Sequence, residues 1–263
     1  MSIDRRVFNT LLFGSVATAG LGFGALPALA ANATAILSEA DRIRNPQTTF
    51  AVDVKLVDYD RGKVKETTIV TVYARPQVSQ FQTLVHMESP ARDRGKIMLR
   101  NDNSLWLYDP ASRASVRISP RQRLLGNASN GDVVSSNLVG DYSATLAGTE
   151  AVVDGDRKNR NCHKLTLTQT RSSAPYNSIE FWVDAANSQP VKGKYFTKSG
   201  KLIKVAWYRK LRNEMGALRP TEVVIADGFN PNSVTTMTMS NFRAKEIPAS
   251  WFSKEWLPNF QAS

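Results

Sequence analysis

The chain has 263 residues, 42% hydrophobic and 22% charged, with 34 Lys and Arg against 23 Asp and Glu, a formal charge of +11. That length and composition suit one large β domain, and the basic balance bears on partners, not on fold. Cys162 is the single cysteine, which rules out an internal disulfide, and one Cys with two His leaves too few ligands for a structural zinc.

The first thirty residues read as an address. Asp4-Arg5-Arg6-Val7-Phe8 precedes a weakly apolar run, Leu11 to Leu26, and Ala28-Leu29-Ala30 closes it with the small residues of a cleavage site. The paired arginines followed by Val-Phe resemble a twin-arginine signal. A retained anchor is the alternative. The run is broken by Gly14, Gly20, Gly22, Gly24 and Pro27, and it falls short of the roughly 20 apolar residues of a spanning helix. Residues 1–30 are thus expected to be a signal peptide cleaved near Ala30. Residues 31–263 are expected to form a single domain in the periplasm, where nucleic acid is no partner.

Ile36, Leu37, Ala40 and Ile43 share one face of a short helix from Ala35 to Arg44, stopped by Asn45-Pro46. Strands follow. Phe50, Val52, Val54 and Leu56 alternate with Ala51, Asp53, Lys55 and Val57, and Asp60-Arg61-Gly62 turns the chain into Thr67 to Tyr73. Phe81 to Met87, Lys96 to Arg100, Ser104 to Tyr108 and Ala114 to Ile118 continue the series. After Pro120 the pattern changes. Arg121 to Leu125 reads as one helical turn, Asn127 to Gly131 as loop, and Ser129 or Asn130 as the cap of a short helix through Leu138 with Asp132 near its positive end. From Tyr142 strands return: Ser143 to Leu146, His163 to Thr168, Ile179 to Asp184, Val191 to Thr197, Lys201 to Arg212, Thr221 to Ala226 and Ser233 to Phe242. Pro248-Ala249-Ser250-Trp251-Phe252 begins a last helical turn. About eleven strands with no helix between neighbours favour a mainly β fold, a strongly curved antiparallel sheet with the helical segments in its mouth.

Leu124-Leu125-Gly126-Asn127-Ala128-Ser129-Asn130-Gly131-Asp132, then Leu138 and Asp141-Tyr142, resemble the outer-membrane lipoprotein-sorting proteins of the LolA/LolB-like superfamily. In that group a Gly-Ser-x-Phe-x-x-x-Asp-Leu-type segment leads into an Asp-Tyr strand. Gly126, Asp132, Asp141 and Tyr142 match it, Ser129 matches loosely, and Ala128 and Asn130 stand near the place of the missing aromatic. The closing Ile247 to Phe252 is also similar to the end of this group. The resemblance implies an unclosed antiparallel barrel with an α-helical lid and an apolar cavity. It further implies a non-enzymatic carrier of lipid or lipoprotein acyl chains. An inner-membrane transporter and an anionic membrane surface are expected partners, the chain acts as a monomer, and no cofactor is expected.

Standard catalytic constellations are missing. Cys162 and His163 are neighbours on a strand and point to opposite faces, so they make no nucleophile–base pair. His86 faces away from Val85 and Met87. Asp154-Gly155-Asp156 is read as a turn, because a calcium loop needs several more oxygen ligands. Apolar residues carry the functional reading. The expected wall is Phe50, Val52, Val54, Ile69, Phe81, Val85, Met87, Met98, Leu105, Leu107, Trp182 and Trp207; the expected lid is Leu124, Leu125, Val133, Val134 and Leu138; Met237 and Met239 add flexible thioethers. For any one of them, ordinary core packing is the alternative. Arg117, Arg121 and Arg123, at the junction of sheet and lid, are expected to hold the lid or to meet a charged headgroup. An accessory protein of an envelope export system, working through its surface without lipid cargo, is the rival function.

Overall fold

The computed structural model describes residues 25–78, 80–134 and 137–261. Most of the expected signal segment therefore lies outside the described residues. Helix α1, Ala25–Arg44, begins before the expected cleavage point at Ala30 and runs on to the Asn45-Pro46 stop. Among the described residues no helix is long and apolar enough to cross a membrane.

Six strands follow as a meander: β1 (Phe50–Asp60), β2 (Lys63–Pro76), β3 (Phe81–Ser89), β4 (Ile97–Asn101), β5 (Ser104–Asp109) and β6 (Ala114–Arg117). A hairpin, β7 (Arg123–Leu125) with β8 (Ala128–Ser129), leads into α2 (Asn130–Val133) and α3 (Leu138–Asp141). A second meander then runs through β9 (Tyr142–Val153), β10 (Asn159–Gln169), β11 (Ser178–Asp184), β12 (Pro190–Phe196), β13 (Leu202–Glu214), β14 (Ala217–Asp227) and β15 (Ser233–Ala244). Strand β15 pairs antiparallel with β1, from Phe50 opposite Ala244 to Asp60 opposite Ser233. This one pairing joins the meanders into a thirteen-stranded sheet whose edges are β6 and β9. The edges do not pair, so the barrel stays open. The chain leaves one edge at β6 and enters the other at β9, so residues 118–141 must cross the opening.

One face of the sheet makes the main core. Val52, Val54 and Leu56 of β1 pack with Val70 and Val72 of β2, with Leu37 and Ala40 of α1, and with Leu125, Val133 and Leu138 of the crossing segment. The opposite face of β1–β5 is covered too. Ala51, Tyr73, Leu84, Ile97 and Leu99 bury against Phe252 and Leu257, carried by two 3-10 turns, Ala249–Phe252 and Lys254–Asn259. Cover on both faces explains why Ile97-Met98-Leu99 is apolar without alternation.

The structure corrects three local expectations. Among the described residues the sheet has thirteen strands, with two more in the hairpin, against about eleven expected. Arg121 to Leu125 is not a helical turn: Arg123–Leu125 is a strand, because Gly126 takes φ +51° at the first position of a two-residue Gly-Asn turn. The helix capped by Ser129 ends at Val133, since Val134 is extended (φ −76°, ψ 129°), and a separate helix starts at Leu138.

Candidate functional site

Residues 118–134 and 137–141 form a lid fastened at several points. Gly126 lies against Asp58 and Thr235 so closely that a Cβ there would stand 2.2 Å from Asp58 Oδ1 and 2.3 Å from Thr235 Oγ1. Next to it the Asn127 backbone N–H donates to Thr235 Oγ1 at 2.8 Å, and its side-chain amide to the Ser233 carbonyl at 2.9 Å. Asp132 reaches back to the Ser129 N–H at 2.7 Å and closes the first turn of α2. The same carboxylate pairs with Lys204 Nζ from β13 and accepts from Tyr176 Oη at 3.0 Å. At the far end Asp141 accepts from Arg100 of β4, and Tyr142 Oη accepts the Tyr176 N–H at 3.2 Å. Helix α1 adds a further tie: Asp41 accepts the Val139 N–H at 2.9 Å and Arg44 Nη1 at 2.7 Å. Gly126, Asp132, Asp141 and Tyr142, the four residues that carry the sequence resemblance, are thus all fastening points of the lid.

Beneath the lid is a cavity of about 120 Å³. Phe50, Val52 and Val54 of β1, Ile179 of β11, Val223 and Ile225 of β14, and Met237 and Met239 of β15 wall it, with Val133, Val134 and Leu138 of the lid above. These are apolar side chains around open space, the makeup of a site for an apolar ligand. Ala206 is the smallest side chain of the β13 wall, and its size leaves room at the centre of the sheet. One stripe of the wall is polar: Arg44, Tyr208, Tyr195, Lys204, Asp132 and Tyr176. Burial lowers the pKa of Lys204, and the Asp132 carboxylate pulls it back up. Burial raises that of Tyr176 well above the usual phenol range. Lys204 also lies over the Tyr176 and Tyr195 rings, 4.7 and 5.2 Å from their centres.

Of the expected wall and lid residues, Phe50, Val52, Val54, Val133, Val134, Leu138, Met237 and Met239 line this cavity. Phe81, Val85, Met87, Met98, Leu105 and Leu125 face the same interior but pack in the solid core beside it, with Leu107 and Leu124 at its margin. Three are misplaced. Trp182 lies on the outer face, donating from Nε1 to Glu150 at 2.6 Å with Lys164 and Lys192 over its ring. Trp207 is outward as well, under Lys192, because its neighbours Ala206 and Tyr208 take the inner face. Ile69 is 38% exposed on the outer side of β2. Arg117, Arg121 and Arg123 do not reach the cavity. Arg117 borders a small pocket with Arg100 and Ser104; Arg121 and Arg123 border an open cleft with Lys198 and Asp227.

The cationic groups that reach the cavity are Arg44 and Lys204, and sequence reasoning placed neither there. Lys204 is 2% exposed, whereas Arg209 and Lys210 of the same strand pair with Glu222. The readable signal was phase: Lys204, Ala206 and Tyr208 alternate with Val205, Trp207 and Arg209. The remaining candidates have structural partners. His86 Nδ1 is 2.8 Å from Glu88 Oε1 and its ring lies against Phe260 on the outer face. Asp154 closes a turn by accepting from the Asp156 and Lys158 N–H groups. Among the described residues no group of three His, Cys, Asp or Glu is placed to hold a metal ion.

A family profile described as "Uncharacterized protein" matches residues 79–259. No curated protein shows significant sequence similarity to the chain. Among solved structures, a LolA superfamily protein from Nitrosomonas europaea superposes with a TM-score of 0.77 at 28% identity, over 85% of this chain and 98% of that one. A DUF1329 family protein from Desulfovibrio piger gives 0.73 at 20% identity, over 87% and 99%. A domain described as an outer membrane lipoprotein-sorting protein, from Vibrio parahaemolyticus, gives 0.71 at 16% identity, over 87% and 99%.

Proposed function

Since this chain belongs to the family described as "Uncharacterized protein" and has the LolA-superfamily fold, we propose that it is a periplasmic carrier which shelters lipid or the acyl chains of lipoproteins beneath its lid. The observation that carries this reading is the apolar cavity between the sheet and the lid residues Val133, Val134 and Leu138. Burying hydrocarbon there is worth about 0.8 kcal/mol per methylene, so half a dozen methylenes supply about 5 kcal/mol. An exposed ion pair supplies less than about 1 kcal/mol. Affinity would therefore come from the cavity, and the basic surface would govern encounter with an anionic membrane.

The cavity's size adds a gating step. An apolar hole of roughly 150 Å³ holds one benzene, so the cavity of about 120 Å³ takes only a short stretch of chain. A longer one needs the lid to move outward, breaking its buried contacts while the sheet stays fixed. Delivery to the periplasm would be the task of the twin-arginine segment at the start of the chain, and hand-over that of an inner-membrane transporter. No reacting group is needed, and the reading is not that of an enzyme.

Incubating the protein with vesicles of a fluorescent diacyl phospholipid, then separating protein from vesicles by size, tests this. Label eluting with the protein supports a carrier. Label staying wholly with the vesicles leaves the rival, a surface-acting adaptor of an export system.

A further inference from the structure

The polar stripe in the cavity wall has more hydrogen-bond donors than acceptors. Tyr195 Oη and Tyr208 Oη are 2.9 Å apart, and one donates to the other. Two phenols carry two protons, and their mutual bond uses one. Among the described residues the second proton has no acceptor. Both phenols stay protonated, because burial raises their pKa and outweighs the opposing pull of Arg44. Arg44 lines the same cavity and, among the described residues, donates only to Asp41, leaving further guanidinium N–H groups.

Charge narrows what this stripe can take. The two cationic side chains of the wall are already matched, Arg44 by Asp41 and Lys204 by Asp132. A carboxylate ligand would bring an unmatched negative charge into a buried place, which is costly. A plain hydrocarbon would leave the donors unused. We infer that the Arg44, Tyr195 and Tyr208 side chains form a docking point for an uncharged oxygen acceptor, and that the cargo is an acyl ester held by its carbonyl, with its hydrocarbon against Val52, Val223 and Ile225. This rests on the carrier reading and specifies its substrate class: esterified chains, not free fatty acids.

The test is displacement of the neutral fluorophore N-phenyl-1-naphthylamine from the full chain by three probes of equal chain length: methyl laurate, laurate at pH 8, and dodecane. One added hydrogen bond predicts that methyl laurate binds roughly fivefold or more tighter than dodecane, with laurate weaker than the ester. The double variant Tyr195→Phe/Tyr208→Phe should remove most of the difference between methyl laurate and dodecane, and retained displacement by dodecane reports an intact cavity. Equal binding of ester and hydrocarbon, or tightest binding of laurate, overturns the docking point in the wild-type protein alone and leaves the carrier standing. Fluorophore uptake with no displacement by any probe removes the carrier reading and the docking point together.

Discussion

Arg100 Nη2 donates to both carboxylate oxygens of Asp141, at 2.9 and 3.3 Å, with both side chains buried. Arg100 is on β4, near one edge of the sheet, and Asp141 immediately precedes β9, the other edge. The pair therefore clasps an open barrel where no strand ladder closes it. Arg100→Met leaves a buried carboxylate without its partner and should cost about 3–5 kcal/mol. Arg100→Met with Asp141→Leu removes both charges and should restore most of that. Urea unfolding of the two variants checks the difference; equal stability would mean that the pair does not couple the edges.

Gly126→Ala should loosen the lid. The position has φ +51°, and the new Cβ would meet Asp58 and Thr235 far inside contact distance. Backbone strain and the clash together should cost about 2 kcal/mol or more. The expected signature is local: faster amide exchange over residues 123–133, with β1–β4 still protected. Unchanged exchange there would show that the hairpin seats itself without this close approach.

Much of the fold is legible from punctuation. Asp60-Arg61-Gly62 and Asn101-Asp102-Asn103 mark turns where Arg61, Gly62 and Asp102 do take positive φ. The Gly126-Asn127 pair was an equally good hairpin signal, hidden because the apolar run before it also fits a helical turn. Strand phase was harder to read. In Phe181-Trp182-Val183 every residue is apolar, so alternation cannot choose a face, and the tryptophan went to the wrong one. At Lys204 strand phase points inward while charge points outward, and the partner that makes it tolerable inside, Asp132, is 72 residues away. The β1–β15 pairing, which turns two meanders into one sheet, is likewise a contact between chain ends that no local pattern records.

Cys162 should be inert in the folded protein. It is 0% exposed, and burial, with the Asp184 carboxylate adding to it, pushes its thiol up to about 11. At pH 8 little thiolate exists and no reagent can reach it. A disulfide reagent such as dithionitrobenzoate should show no reaction over minutes in native buffer and one thiol in strong denaturant. Prompt reaction of the native protein would contradict this.

Asp154 gives a pH-dependent prediction. Burial raises its pKa, but bonds from the Lys158 N–H, Arg160 and the Asp156 N–H outweigh that and leave it below the ordinary 3.8. A carboxyl whose folded pKa is depressed contributes stability above its unfolded pKa, and that contribution fades as pH falls through the folded value. Asp154→Asn should therefore cost about 1–2 kcal/mol at pH 7, with the gap to wild type narrowing below pH about 4. A gap constant across that range would assign the cost to lost packing.

Ala206→Phe is the sharpest probe of the cavity. Its side chain would enter the open space at the centre of the wall, and filling a hole offsets the usual cost of overpacking, about 1–3 kcal/mol. Native mass spectrometry of the wild-type protein and this variant, each purified from expressing cells without organic solvent, should find lipid of defined mass on the wild type and bare polypeptide for the variant. Bare polypeptide in both samples, or the same lipid on both, would contradict a carrier that works through this cavity.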